Sequence, residues 1–150
     1  MIKLSSTVKN ILPEYSQLFN IVKFDMDNGP WLAGGSVLKL VMNRHEYESD
    51  FDIWCKNENQ FDTVDNLIKS ASRDERVIAT RNATTRYLSG VGTVQIIRRF
   101  YSSAHDVLND FDFTICKFLT DGTNLIYGDR AFDDATIKLL RYDNIKNIIG

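Results

Sequence analysis

The chain has 150 residues, 43% of them hydrophobic and 11% aromatic, and a formal net charge of -2. That length suits one domain, expected to span residues 1–150, with enough apolar material for a core of its own. The slightly acidic balance argues against broad electrostatic wrapping of nucleic acid, no run of about 18 apolar residues suggests a membrane span, and the absence of a leader pattern makes the cytoplasm the expected setting.

In chain order, "PEYSQLFNIVKF" carries Tyr15, Leu18, Phe19 and Val22 at helical spacing, with Pro13 suited to a first turn and "DNGP" as its stop. "WLA" reads as a short strand and "GSVLKLVMN" as a helix with Val37, Leu40 and Val41 on its apolar face. "DFDIWCK" is a strand by its aromatic and branched content, although it carries two acids. "NQFDTVDNLIKSAS" is an amphipathic helix laid on the sheet through Phe61, Val64, Leu67 and Ile68. "RVIAT", "TRYLS" and "TVQIIRRFY" form a three-stranded meander. "SSAHDVLND" is a short helix with a serine cap, "FDFTICKFL" a further strand, and "TDGTN" a hairpin turn. "DRAFDDATIKLLRY" closes the chain as a helix with Ala131, Ala135, Leu139 and Tyr142 along one face. The sum is an α+β fold, a mixed or antiparallel sheet with helices packed on it.

Successive side chains of a strand point to opposite faces, so Asp50 and Asp52 project together while Phe51 and Ile53 enter the core. Two carboxylates so close repel unless a cation lies between them, and hard oxygen ligands select Mg2+ or Mn2+. A lone D-x-D is equally a strand end whose acids reach solvent. Upstream, Gly34-Gly35 followed by Ser36 and a helix lets bare backbone approach a ligand, and N–H groups at a helix start favour phosphate oxygens. On this reading both carboxylates turn toward a cleft beneath the glycine turn.

The combination resembles the DNA polymerase beta-like nucleotidyltransferase superfamily: a strand, Gly-Ser opening a helix, a spacer, then a strand bearing D-x-D. Here "GGS" stands at 34–36 and "DFD" at 50–52, and the resemblance covers roughly 31–56. A weaker similarity to virus-borne and eukaryotic nucleotidyltransferase-like proteins runs over 94–122, on "QII", "FDF" and "DG". The resemblance implies that Gly34, Gly35 and Ser36 hold the phosphates of a nucleoside triphosphate, with Lys39 adding positive charge. It implies that Asp50 and Asp52 bind Mg2+ or Mn2+, and that a third acid completes the catalytic set. Asp112 in "NDFDFTICKF" is the candidate and Asp110 the reserve, because Gln95 in the "TVQIIRR" strand is an uncharged, poorer ligand.

The implied reaction is two-metal transfer of an NMP from an NTP to a hydroxyl of an RNA, a tRNA end, a protein or a small molecule, with release of pyrophosphate. At this length, a partner subunit is one way to supply the acceptor site, and minimal nucleotidyltransferases of toxin-antitoxin and defence systems are similar in size. The alternatives are an inactive member of the fold kept as a binding or regulatory module, and an unrelated module in which the two motifs lie far apart. Among the remaining residues, Cys55 and Cys116 read as buried free thiols, and His45 and His105 lack companions at ligand spacing. "RHEYE", with Arg44, reads as a polar loop, and only one of Arg98 and Arg99 can face the cleft.

Overall fold

The computed structural model describes residues 1–4, 12–42 and 50–143. Its strands are β1 (Ile2–Lys3), β2 (Trp31–Ala33), β3 (Phe51–Cys55), β4 (Val77–Ala79), β5 (Ala83–Leu88), β6 (Gly92–Phe100), β7 (Phe118–Thr120) and β8 (Asn124–Tyr127). Its helices are α1 (Pro13–Ile21), α2 (Gly35–Met42), α3 (Glu58–Ala71), α4 (Ala104–Asn109) and α5 (Ala131–Thr136). "RHEYE", with Arg44 and His45, falls outside the described residues. Among the described residues no helix is long and apolar enough to cross a membrane.

The strands form one mixed sheet in the order β1-β8-β7-β2-β3-β6-β5-β4. All neighbouring pairs are antiparallel except β3 and β6, which run parallel with Phe51 beside Val94, Asp52 beside Gln95 and Ile53 beside Ile96. The meander expected from "RVIAT" to "TVQIIRRFY" is β4-β5-β6. Helix α3, between β3 and β4, is what lets the chain return for the parallel pairing.

Alternation along the strands sorts the core into two layers. Leu32, Phe51, Ile53, Cys55, Val94 and Ile96 face one way, against Tyr15 and Leu18 of α1, Val37 and Leu40 of α2, and Phe61, Val64 and Ile68 of α3. Trp31, Ala33, Trp54 and Leu119 face the other way, under Ala104, Val107 and Leu108 of α4. Ordinary signals start the helices. Pro13 opens α1, Asn57 Oδ1 accepts from the Gln60 N–H at 2.9 Å, and Ser103 accepts from the Asp106 N–H at 3.2 Å. Leu67, expected on the buried side of α3, is exposed.

Two segments depart from the sequence reading. Residues 111–117 do not continue a strand: Thr114–Cys116 is a 3-10 turn, and strand pairing begins only at Phe118. The turn is fixed by Thr114, whose hydroxyl donates to the buried carboxylate of Asp134 at 2.6 Å, while Phe113 forms an isolated bridge with Tyr142. The last helix ends at Thr136, so neither Leu139 nor Tyr142 lies on it. Lys138 adopts a left-handed φ of 59°, and the N–H groups of Leu139 and Lys138 donate to the carbonyls of Asp134 and Ala135, which is a Schellman ending made without glycine. Arg141 then folds back, donating from Nε to Asp134 at 2.9 Å. The Arg141 guanidinium first, and the Thr114 hydroxyl second, hold the Asp134 carboxyl below its usual range.

Tyr15 ties α1 to the start of α2, its hydroxyl donating to the Ser36 carbonyl at 2.5 Å in a buried setting. Tyr15→Phe should remove that bond without opening a cavity, costing about 1–2 kcal/mol and lowering Tm by roughly 2–6 °C for a chain of this size, as read by thermal unfolding.

Candidate nucleotide and cation site

β2 lies between β3 and β7, with Leu32 beside Ile53 on one side and beside Thr120 on the other. Its end is therefore delivered against the start of β3. Gly34 makes the turn into α2 at φ +98°, its carbonyl accepting from the N–H groups of Val37 and Leu38 at 3.0 and 3.1 Å and its own N–H donating to the Phe118 carbonyl at 3.0 Å. A Cβ at Gly34 would sit 3.4 Å from the Phe111 ring and 3.9 Å from Asp52 Oδ2. These are ordinary contact distances, so it is the left-handed backbone that favours glycine here. The same contact brings the glycine turn and the D-x-D strand into one place, which removes the reading in which the two motifs lie far apart.

The two carboxylates are unlike each other. Asp50 is exposed at the doorstep of β3, and Gln95 Nε2 donates to its Oδ2 at 3.5 Å. Asp52 does not open freely to a cleft as the sequence suggested. Its Oδ1 is buried with no hydrogen-bond partner among the described residues, and burial first, then the charge of Asp50, pushes its carboxyl up to about 7. On the face it shares, Trp54, two residues on, is buried and packs edge-on against Tyr101 and Phe111. A half-desolvated carboxylate beside a second one, with an oxygen left unsatisfied, is the donor set that suits a hard divalent cation.

At the head of α2, Gly35 is half-buried and Ser36 is buried, its Oγ without a partner among the described residues. Lys39 is half-buried in the last turn of the same helix. Asp112 is not on a strand: its carbonyl accepts the Asp143 N–H at 2.7 Å, just ahead of the Phe113–Tyr142 bridge. Among the described residues no three His, Cys, Asp or Glu side chains gather into a group able to hold a metal, so Asp112 is not joined to Asp50 and Asp52 in such a set. Asp110 pairs with Arg99 at 2.5 Å and accepts from the Tyr101 hydroxyl. Arg98, pointing to the opposite face, pairs with Glu58 and lies over the Phe61 ring at 4.2 Å. Cys55 is buried, its thiol pushed up to about 12; Cys116 is half-buried, its thiol raised by burial first and then by the charges of Asp52 and Asp112. Sequence reasoning noticed Gln95 and set it aside as uncharged; the packing of Phe111 against Trp54 and the Gly34 turn gave no signal beyond both residues being apolar.

Residues 3–138 match the profile of the Gabija anti-defense 2 family. The chain belongs to that family. An uncharacterized protein of Acanthamoeba polyphaga mimivirus is 26% identical over 146 residues, covering 79% of this chain and 32% of the relative. Solved structures of similar fold include a CCA-adding enzyme in complex with ATP, with a TM-score of 0.61 and 17% identity over 93% of this chain and 34% of the other. The Thermotoga maritima CCA-adding enzyme in complex with tRNA gives 0.58 and 19% over 93% and 33%. A tRNA-processing enzyme gives 0.54 and 20% over 94% and 38%. At these identities the likeness establishes the fold: this Gabija anti-defense 2 family chain has a nucleotidyltransferase-like α+β fold. It spans about a third of the length of the relatives it matches.

The buried Asp52 gives a pH signature in metal-free protein. Its folded value of about 7 lies above the ordinary unfolded value, so ionised Asp52 penalises the folded state, the penalty growing from about pH 4 and complete above about pH 7. Asp52→Asn should therefore raise Tm at pH 8 in EDTA, by up to roughly 4 kcal/mol of stability, and the gain should shrink toward zero at pH 4. Equal melting temperatures for the two proteins at pH 8 would contradict the burial described above.

Proposed function

We propose that this chain binds a nucleoside triphosphate at the Gly34–Ser36 turn and transfers its NMP to a hydroxyl acceptor, releasing pyrophosphate. The observation that carries this reading is that the glycine turn lies beside Asp52, whose buried Oδ1 has no hydrogen-bond partner among the described residues. Asp50 and Asp52 would hold the divalent cation, Mg2+ or Mn2+, which when bound supplies charge neutralisation for the triphosphate and lowers the cost of ionising the acceptor hydroxyl.

The chain's own residues do the rest by binding and orientation. The N–H groups of Gly35 and Ser36 precede the bonds from Val37 and Leu38 to the Gly34 carbonyl and would donate to phosphate oxygens, with the helix dipole favouring the same charge. The unpartnered Ser36 hydroxyl has hydrogen-bonding capacity to offer the same phosphates. Lys39 adds positive charge one turn further on. Phe111 and Trp54 keep water from the inner side of Asp52, which strengthens any charge–charge contact made there.

The solved relatives in fold are named as complexes with CTP, ATP and tRNA, which supports an NTP as substrate and an RNA as one acceptor to test. The family name describes its members as acting against a defence system called Gabija, and we infer that the nucleotide chemistry of this chain serves such a role. A second reading, a nucleotide-binding regulatory module without transfer, is favoured by the lack of a three-acid set among the described residues.

Incubation of the protein with each labelled NTP, Mg2+ or Mn2+, and RNA or protein acceptors should yield labelled acceptor, and Asp50→Ala with Asp52→Ala should reduce it at least about a hundredfold, as loss of a principal electrostatic stabiliser does. Transfer surviving the double substitution would exclude the site; NTP binding without transfer to any acceptor would select the binding module. Ser36→Ala should leave the Tm of the free protein unchanged or raised, because its hydroxyl has no partner to lose. It should weaken NTP affinity by about tenfold, the worth of one charge-assisted hydrogen bond, as measured by titration calorimetry.

A further inference from the structure

The neighbour of Asp52 across the sheet is Gln95. β3 and β6 are parallel, and their register sets Asp52 beside Gln95, with Thr85 of β5 opposite Gln95 on the other side. Val94 and Ile96 are fully buried with Phe51 and Ile53 in the layer under α1–α3, so Gln95 and Asp52 project from the same, opposite face. The contact of Gln95 Nε2 with Asp50 Oδ2 joins the amide to the outer carboxylate as well. One polar side chain thus adjoins both members of the D-x-D pair, and it is neutral. Among the described residues Asp112 is not gathered with Asp50 and Asp52 into a three-ligand group, and its carbonyl accepts from Asp143 in the segment that bridges to Tyr142.

We propose that Gln95, rather than Asp112, is the third protein group at the Asp50–Asp52 site, and that its neutral carboxamide tunes the site to hold one divalent cation firmly together with the nucleoside triphosphate. The inference rests on the proposed binding of an NTP and a cation at this site. Two carboxylates balance the charge of one divalent ion. Among the described residues a second ion finds no further anionic ligand gathered there and relies on the triphosphate and a neutral amide, so its affinity is low. Cation affinity depends steeply on the number of charged ligands, and a carboxamide in place of a carboxylate keeps shape while removing charge. The resulting site retains a nucleotide with a single ion and admits the second ion only when its concentration is high.

The test counts ions rather than turnover. Full-length chain with a non-hydrolysable ATP analogue is titrated with Mn2+, bound metal being read by electron paramagnetic resonance, for the wild type, Gln95→Glu and Asp112→Asn. Both substitutions are close to isosteric, and melting curves verify folding. The wild type should bind one Mn2+ tightly. Gln95→Glu should tighten the second by about tenfold or more, in line with the ligand-charge dependence, and Asp112→Asn should bind as the wild type does. Two tight ions in the wild type, with one lost in Asp112→Asn, would overturn the inference and assign Asp112 the third place. An unchanged second ion in Gln95→Glu would overturn it too. No Mn2+ on any variant, with or without the analogue, would instead remove the proposed nucleotide site, and this inference with it.

Discussion

The contact between the Gly34 turn and Asp52 is the constraint on which the rest of the site depends. It exists because β2 is a three-residue strand clamped between β3 and β7, so its exit has one direction only. Trp31 beside Trp54 and Leu32 beside Ile53 fix that register through both core layers, since a slip of one residue would exchange the contents of the two faces. Glycine then converts the fixed strand end into a helix start by taking the left-handed φ that other residues rarely adopt. The cost of this geometry falls on Asp52, and the two apolar layers on either side of the sheet are what allow the fold to carry an unsatisfied carboxylate oxygen.

What the sequence made legible was local. Alternation in "FDIWC" told which residues share a face, and spacing in "ENQFDTVDNLIKSA" told which side of the helix meets the sheet, because both follow from backbone periodicity alone. Pro13, Asn57 and Ser103 start α1, α3 and α4, whereas α2 follows the turn at Gly34 and α5 follows Arg130 with no side-chain cap. The end of α5 was hidden because Lys138 occupies a left-handed position where glycine is the usual sign, and the Schellman bonds that stop the helix are main-chain bonds that leave no residue signature. "FDFTIC" repeats the look of "FDIWC", yet its backbone is turned by a hydrogen bond to Asp134, twenty residues later, which no local pattern reports.

The candidate site shows the same division. Alternation identified the shared face of Asp50 and Asp52, but not what covers that face. The cover is Trp54, Phe111 and Tyr101, drawn from three different stretches of chain and assembled only by the packing of α4 beneath the sheet. Gln95 was visible as the polar position in "TVQII", and only the β3–β6 register showed that it stands beside Asp52. The solved structures of similar fold share 16–20% of their residues with this chain over nine-tenths of its length, so the fold is shared where most side chains differ.

The parallel pairing of β3 with β6 also has a kinetic meaning. Asp50 and Gln95 are 45 positions apart, and α3, β4 and β5 lie in the loop that must close before they meet. Closing such a loop loses chain entropy before any contact repays it, so pairings of this kind form slowly. A nascent chain can complete the β4–β5–β6 meander from neighbouring residues alone, while Gln95 reaches the Asp50–Asp52 pair only when β6 docks on β3. The arrival of Gln95 beside the acid pair and the closure of the central parallel pairing are therefore the same folding event.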